Sequence, residues 1–239
     1  MKVLALDSSG LVASVAVAED GELLAEYSVN YKKTHSQTLL PMLDAAVQMI
    51  DLDLQTIDAI AVASGPGSFT GLRIGSATAK GLGLALGKPL VAVPTTQALA
   101  YNLYGFTDII CPIMDARRNQ AYTGIYTFMD GRLQILEDQM ALDIHQLIEK
   151  LNERNRLVMF CGDGVSVYRE AIEKNLHPTA YFAPAHVNRQ RAGAVAALAM
   201  EYLKEGRTQT ASEHKPEYLR VSQAERERQA RLAERAEQS

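Results

Sequence analysis

The amino-acid sequence predicts an α/β protein with two lobes of similar construction, and three observations support this fold class. Short apolar runs typical of buried strands alternate with longer segments whose apolar residues recur at helical spacing. The order strand, aspartate, loop, strand, Asp-Gly turn, strand begins near Asp7 and again near Asp115. A chain of 239 residues is long enough for two modest domains. We interpret the repeat as an internal duplication, although Asp-Gly hairpins are common enough to recur by chance.

The predicted elements follow from this patterning. Strands are expected where short apolar runs are bounded by turn residues, at 2–6, 12–17, 23–29, 59–63, 90–93, 109–114, 121–128, 133–136 and 158–161. Helices are expected at 37–50, 70–86, 95–104, 143–155 and 189–205. Gly87 is the predicted stop of the second helix, and Pro41 is compatible with the first helix only within its first turn. From Ser222 onward, Glu, Arg, Ala and Gln dominate, which predicts a solvated helix or disorder.

Composition limits the classes of function. Hydrophobic residues make up 47% and charged residues 22%, which is ordinary for a globular protein. The formal net charge of −4 argues against a chain that grips nucleic acid on its own. Cys111 and Cys161 lie far apart in the sequence and predict reduced, buried thiols. Because we find no signal-peptide pattern and no bilayer-spanning apolar stretch, we expect a cytoplasmic protein.

A glycine-rich loop at 65–71 lies between a predicted strand and a predicted helix. Such a loop can direct backbone N–H groups at an anion, and the following helix N-terminus favours negative charge. The sequence matches neither the P-loop nor the dinucleotide-binding pattern, and no lysine follows to reach a terminal phosphate. Two interpretations remain open: phosphate binding by the loop, or a tight turn in which Ser68 or Thr70 caps the helix.

The helix after this loop is rich in small residues. They recur every fourth position in two stripes, Gly71–Gly75–Ala79–Gly83 and Ala77–Gly81–Ala85. A glycine inside a helix costs about 1 kcal/mol relative to alanine, so several glycines need a compensating gain. Close approach of a neighbouring backbone would provide that gain. The neighbour could belong to this chain or to another protein.

Few residues suggest autonomous catalysis. His35 opens an apolar helix, but the residue one turn on is Leu39, so the histidine pair of a helical metal site is missing. Ser8 and Ser9 follow a strand with no adjacent base. Asp7 and Asp115 end the two duplicated strands, where each could hold Mg²⁺ or hydrogen-bond the following turn.

Several segments carry a family resemblance: 4–9 (LALDSS), 34–41 (THSQTLLP), 65–75 (GPGSFTGLRIG), 115–118 (DARR) and 216–220 (PEYLR). In this order, and over nearly the whole chain, the sequence resembles the TsaB family, also called YeaZ. The resemblance implies a duplicated actin-like ATPase (ASKHA) fold, α/β in class, with a mixed sheet and flanking helices in each lobe. The expected lobes are 1–104, completed by a helix at about 189–206, and 105–188. A terminal segment at 207–221 and a charged tail at 222–239 follow.

The resemblance also implies a function. Members of this family are accessory, non-catalytic subunits that bind and activate a TsaD-like catalytic partner. With a TsaE-like ATPase, the complex transfers a threonylcarbamoyl group to the adenosine next to the tRNA anticodon. We expect ATP and Mg²⁺ to serve the complex, no cofactor or metal to be bound tightly by this chain, and tRNA to be bound only through the complex. The competing interpretation is an autonomous Mg-dependent ATPase or small-molecule kinase of the same superfold.

In the family, the partner contacts the first two helices. The residues expected at this interface are Leu39, Leu43, Val47, Gly71, Ile74, Gly75, Thr78, Ala79 and Leu82. A homodimer through the same helices is a further expectation, because an apolar face on a free subunit needs cover. If phosphate is bound at all, the residues expected to contact it are Asp7, Ser8, Ser9, Gly65, Gly67 and Asp115.

Overall fold

A computed structural model describes residues 1–31 and 33–220, which form two five-stranded mixed sheets with helices packed on them. The first sheet contains β1 (Lys2–Asp7), β2 (Ala13–Glu19), β3 (Glu22–Val29), β4 (Ala59–Gly65) and β5 (Leu90–Pro94). The second contains β6 (Ile109–Asp115), β7 (Gln120–Met129), β8 (Arg132–Asp143), β9 (Val158–Cys161) and β10 (Ala180–Phe182). The predicted charged tail at 222–239 and the last residue of the predicted terminal segment lie outside the described residues.

The helices are α1 (His35–Met49), α2 (Phe69–Leu86), α3 (Thr95–Tyr101), α4 (Ile144–Arg154), α5 (Val165–Asn175) and α6 (Ala192–Lys204). None of these described helices is both long enough and apolar enough to cross a membrane. Gly87 ends α2 in the left-handed conformation, as predicted, with φ of 65°. Ser68 caps the other end by accepting a hydrogen bond from the Gly71 N–H, which selects Ser68 over Thr70 as the N-cap.

The two sheets share one topology, which confirms the internal duplication. The first has the order β3-β2-β1-β4-β5, and the second, read from its opposite edge, has the order β8-β7-β6-β9-β10. In each, a three-stranded antiparallel unit is extended by two parallel strands. Parallel strands need crossover connections, and α1, α2, α4 and α5 lie in those connections.

Three predictions about local structure need correction. Helix α5 and strand β10 were not expected, because α5 is amphipathic but short and β10 has three residues. Strand β8 extends to Asp143, well beyond the predicted 133–136, because its pairing with β7 continues past the apolar run. Pro41 lies in the second turn of α1 rather than the first, with its ring at the exposed surface of the helix.

Helix α6 returns to the first sheet and packs on a surface of small side chains. Its buried face includes Val195, Ala196 and Ala199, and the sheet beneath supplies residues such as Ala5 and Ala61. Alanine on both surfaces lets the helix axis approach the sheet closely, so this core is dense without large side chains. The helix N-terminus is fixed to β3, where Glu26 accepts hydrogen bonds from Arg191 and from the Gly193 N–H.

Helix α2 packs its glycine stripe against the turn that follows β1. A Cβ atom at Gly71 would overlap the carbonyl oxygen of Ser8, and one at Gly67 would overlap that of Ser9. The Ser8 hydroxyl donates to the Gly71 carbonyl at 2.9 Å, and the Ser68 N–H donates to the Ser9 carbonyl at 2.7 Å. The glycines therefore permit a close approach within this chain, which answers the open question about the first stripe.

The opposite stripe has no neighbour among residues 1–31 and 33–220. A Cβ atom at Gly81 would have no heavy atom within 4 Å, and Ala77 and Ala85 are exposed. The same helix thus carries one small-residue face that its own fold requires and another that the described residues leave uncovered.

The variants Gly71→Ala and Gly81→Ala place the same methyl group on these two faces. We expect Gly71→Ala to lower the free energy of unfolding by about 1–3 kcal/mol, because the methyl group collides with the Ser8 backbone. We expect Gly81→Ala to raise it by about 0.5–1 kcal/mol, because alanine reduces the entropy cost of forming the helix. Urea denaturation followed by circular dichroism measures both. Equal stabilisation by the two variants would show that the packing against Ser8 is looser than described.

Candidate functional site

A cleft of about 1360 Å³ lies where the turns after several parallel strands meet. Its walls include Ser9 and Gly10 after β1, the glycine loop after β4, Asp115 after β6 and Asp163 after β9. The carboxyl ends of parallel strands are the common location of ligand sites in α/β sheets. The cleft is therefore the strongest candidate for a small-molecule site among the described residues.

Asp7 lies behind this cleft rather than in its wall. The side chain is 1% exposed; one carboxylate oxygen accepts from the Ser9 N–H at 2.8 Å and from the Ser9 hydroxyl at 2.6 Å. The other oxygen is buried and has no hydrogen-bond partner in the part of the chain that the structure describes. Burial raises the pKa of Asp7 to about 6, against the lowering effect of the Ser9 hydrogen bonds and the nearby His35. Asp7 thus holds the turn that supports the glycine loop.

Asp115 occupies the equivalent position in the second lobe but is exposed. Its Oδ1 accepts from the Arg117 N–H at 2.8 Å and from the Tyr168 hydroxyl at 3.0 Å. The following residues Arg117, Arg118 and Asn119 all have φ between 56° and 63°, a left-handed conformation that costs energy for side chains other than glycine. The carboxylate stabilises a strained turn that places Arg117 in the cleft wall.

The structure divides the six residues expected to contact phosphate. Ser9, Gly67 and Asp115 line the cleft. Three others do not line it: Asp7, Ser8 and Gly65. Asp7 and Ser8 are buried behind the glycine loop, and Gly65, with φ of 124°, lies against the backbone of Glu217. Glu217, Tyr218 and Arg220 add three cleft-lining side chains that the sequence analysis did not single out for this site.

His35 is bound to the chain itself. Its Nε2 lies 2.8 Å from the Gly10 carbonyl oxygen, and Leu39, one helical turn on, is buried in the core. Across the described ranges, no group of three or more His, Cys, Asp or Glu residues is arranged to hold a metal ion. Cys111 and Cys161 are free and buried, as expected, and burial raises the pKa of both thiols.

The nine residues expected at the partner interface differ in their burial. Five of them face the chain's own sheet and are buried: Leu39, Leu43, Gly71, Gly75 and Ala79. The apolar faces of α1 and α2, to which these five residues belong, cover β1, β2 and β4. The remaining four, Val47, Ile74, Thr78 and Leu82, are half-buried at the edges of that face.

The exposed side of the same two helices presents a different apolar surface. We call it the outer face and define it by Leu40, Ala77, Gly81, Leu84 and Ala85. Leu84 is 74% exposed and Leu40 is 53% exposed, although both are large hydrophobic side chains. The second small-residue stripe already contained three of these positions. The exposed leucines were missed because spacing alone does not tell which stripe of an apolar helix faces the core.

Asp7→Asn tests the cost of burying this carboxylate. The pKa of Asp7 is about 6 in the folded chain, whereas its ordinary value is 3.8. Above pH 6 the ionised side chain therefore lowers the free energy of unfolding by about 3 kcal/mol, and at low pH, where the side chain is protonated, it does not. Asparagine keeps the oxygen that Ser9 binds and removes the charge. Between pH 4 and pH 7.5, the free energy of unfolding of Asp7→Asn should therefore rise relative to that of the unchanged chain by up to about 3 kcal/mol.

Thermal unfolding of both proteins across this pH range measures that difference. Asp44→Asn, which removes an exposed carboxylate from α1, controls for the general effect of charge removal. A difference between Asp7→Asn and the unchanged chain that stays constant with pH would contradict the buried-carboxylate account.

Comparisons with known proteins agree with this fold and identify the family of the chain. The sequence model of the family described as TsaD, tRNA N6-adenosine threonylcarbamoyltransferase, matches residues 22–228. The chain is 35% identical to the tRNA threonylcarbamoyladenosine biosynthesis protein TsaB of Bacillus subtilis, over 94% of this chain and 96% of that protein. It is 31% identical to TsaB of Haemophilus influenzae, over 74% of this chain and 78% of the other.

A solved structure of YeaZ from Pseudomonas aeruginosa superimposes with a TM-score of 0.78 at 26% identity, covering 91% of this chain and 99% of that one. The fold is the duplicated actin-like ATPase fold, with a mixed sheet and flanking helices in each lobe. The sequence identity, its extent along the chain and the superposition together show that the chain belongs to the TsaB (YeaZ) family of tRNA threonylcarbamoyladenosine biosynthesis proteins.

Proposed function

We propose that this chain is an accessory subunit that binds and activates a TsaD-like catalytic partner, and that the outer face is where the partner docks. The observation that carries this proposal is the exposure of Leu84 beside Gly81, on a helix whose other face is fully packed. A large apolar side chain next to a position without bulk suits contact with another backbone.

The two helices give the outer face its shape. Helices α1 and α2 contact each other and pack on the same side of the first sheet, and Leu40 of α1 and the stripe of α2 are both exposed. Ala77, Gly81 and Ala85 form a shallow groove along α2 because none has a side chain longer than a methyl group. A helix of the partner can lie along this groove, as ridges-into-grooves packing requires.

Support for a non-catalytic role comes from the chain's own residues. Among the described residues, His35 hydrogen-bonds Gly10, Asp7 is buried against Ser9, and Asp115 holds its own turn. Each of these polar groups performs a structural task. We therefore assign the metal, the ATP and the substrate chemistry to the complex. In this proposal a TsaE-like ATPase is a further member of the complex, tRNA is bound only through the complex, and the complex acts in the cytoplasm.

An autonomous Mg-dependent ATPase or kinase is the competing function. The cleft volume and the presence of Ser9, Gly67 and Asp115 in its wall are compatible with a bound nucleotide. The same wall carries both acidic residues, such as Glu217, and basic residues, such as Arg117 and Arg220, so its charge does not decide between the two functions. Calorimetric titration with Mg-ATP separates the two functions, because only the competing one requires tight binding and turnover by the isolated chain.

Leu84→Asp and Gly81→Leu test the proposed docking face. Aspartate places a charge in an apolar contact, and leucine fills the groove, so each should weaken binding of the TsaD-like partner at least about tenfold, or about 1.4 kcal/mol. Size exclusion of the mixed proteins and titration calorimetry measure the loss. The same variants should convert any homodimer of the free chain to monomer, which light scattering detects.

The matched control is Val167→Asp on α5, which is 56% exposed on the second lobe. It introduces the same charge at a similarly exposed aliphatic position and should leave the complex unchanged. Partner binding that survives both Leu84→Asp and Gly81→Leu would refute docking at the outer face.

A further inference from the structure

The chain after α6 follows a fixed path back to the cleft. Gln209 pairs with Leu90 at the edge of the first sheet through two backbone hydrogen bonds of 2.8 Å. Ala211 is buried in the core beneath α2, and the His214 carbonyl accepts from the Lys80 ammonium at 3.1 Å. Residues 216–220, which we call the strap, then run along the cleft wall.

The strap binds the first lobe at the glycine loop and the start of α2. The Glu217 N–H donates to the Ser64 carbonyl at 2.7 Å. The Tyr218 ring lies 4.7 Å from the Phe69 ring, centroid to centroid, and its hydroxyl accepts from the Arg73 guanidinium at 3.3 Å. The Arg73 guanidinium also covers the Phe69 ring at 3.9 Å. A tilted aromatic contact with Phe69 and a hydrogen bond from Arg73 thus join the strap to the start of α2.

Gly65 is shaped to receive the strap. Its φ of 124° is a conformation that side chains rarely adopt, and a Cβ atom there would overlap the Glu217 carbonyl oxygen. The backbone of the strap therefore occupies the space that a side chain would fill. This contact gives the glycine at position 65 a structural role that phosphate binding does not require.

The strap also binds the second lobe. The Glu217 carboxylate accepts from the Gln139 amide on β8 at 2.7 Å. The Arg220 guanidinium donates to the Ala116 carbonyl at 2.6 Å, at the strained turn that follows β6. Hydrogen bonds that involve an ionised group are stronger than neutral ones, so these two contacts can hold the lobes at one angle.

We propose that the strap is a clamp that couples the angle between the lobes to the start of α2. Because Tyr218 and Arg220 are only two residues apart, movement at either lobe is transmitted to the other. Opening of the cleft requires the strap to leave either its second-lobe partners, Gln139 and Ala116, or its first-lobe partners on the glycine loop and α2. The bound strap thus stabilises the lobe arrangement seen in this structure together with the start of α2.

Hydrogen–deuterium exchange of the full chain tests the coupling through Tyr218→Ala. Tyr218 contacts Phe69 and Arg73 of the first lobe, so a purely local effect would be confined to residues 64–73. Coupling predicts that the backbone amides of 115–120, in the second lobe, also exchange about tenfold faster, because the strap no longer fixes their turn. Arg220→Ala should produce the reciprocal effect, with faster exchange at 64–73.

Arg207→Ala is the matched control, since Arg207 lies over the Tyr202 ring at 3.4 Å and makes no contact with either loop. It should leave exchange in both segments unchanged. Small-angle scattering provides a second measurement, in which Tyr218→Ala and Arg220→Ala should each increase the radius of gyration. The clamp is refuted if each variant changes exchange only in the lobe that its own side chain touches, with an unchanged radius of gyration.

Discussion

The close packing of α2 on the turn after β1 is the constraint on which the rest of this structure depends. Ser8 and Ser9 place their carbonyl oxygens where Cβ atoms of the helix and its preceding loop would otherwise lie. Only glycine fits at Gly67 and Gly71, and the Ser8 hydroxyl closes the contact with a hydrogen bond. This one junction sets the position of the cleft wall, the start of α2 and, through the direction of the helix, the outer face.

The junction also explains how Asp7 can be tolerated. A buried carboxylate is costly, yet Asp7 holds the Ser8–Ser9 turn through the Ser9 N–H and hydroxyl, so its energetic cost is offset by the contacts that the turn then makes. Asp115 has the same role at the duplicated position. It accepts a hydrogen bond within a surface turn that contains three residues in the left-handed conformation. The duplication has kept the aspartate as a turn-forming residue in both lobes, although only the first is buried.

Much of the fold was readable from the sequence because its elements have strong local signals. Gly87 and Asp143 mark helix ends by chemistry that needs no tertiary context, and the Asp-Gly turns mark the hairpins. Which face of a helix is buried could not be predicted from the sequence in the same way. On α2, both stripes consist of small residues, and only the position of the Ser8–Ser9 turn decides that Gly71 and Gly75 point inward. The strap was missed for a related reason, since Tyr218 and Arg220 act through partners more than 100 positions away in the chain.

Separation of the two faces of α2 also bears on how such a protein can diverge between organisms. Substitutions at Gly71 and Gly75 are restricted by the chain's own backbone, whatever the protein binds. Ala77, Gly81 and Leu84 carry no such restriction, so side chains there can be exchanged in step with changes in a binding protein and at little risk to folding. A chain of this kind from one species would then fail to bind the binding protein of a distant species, although both versions of the chain keep the same fold.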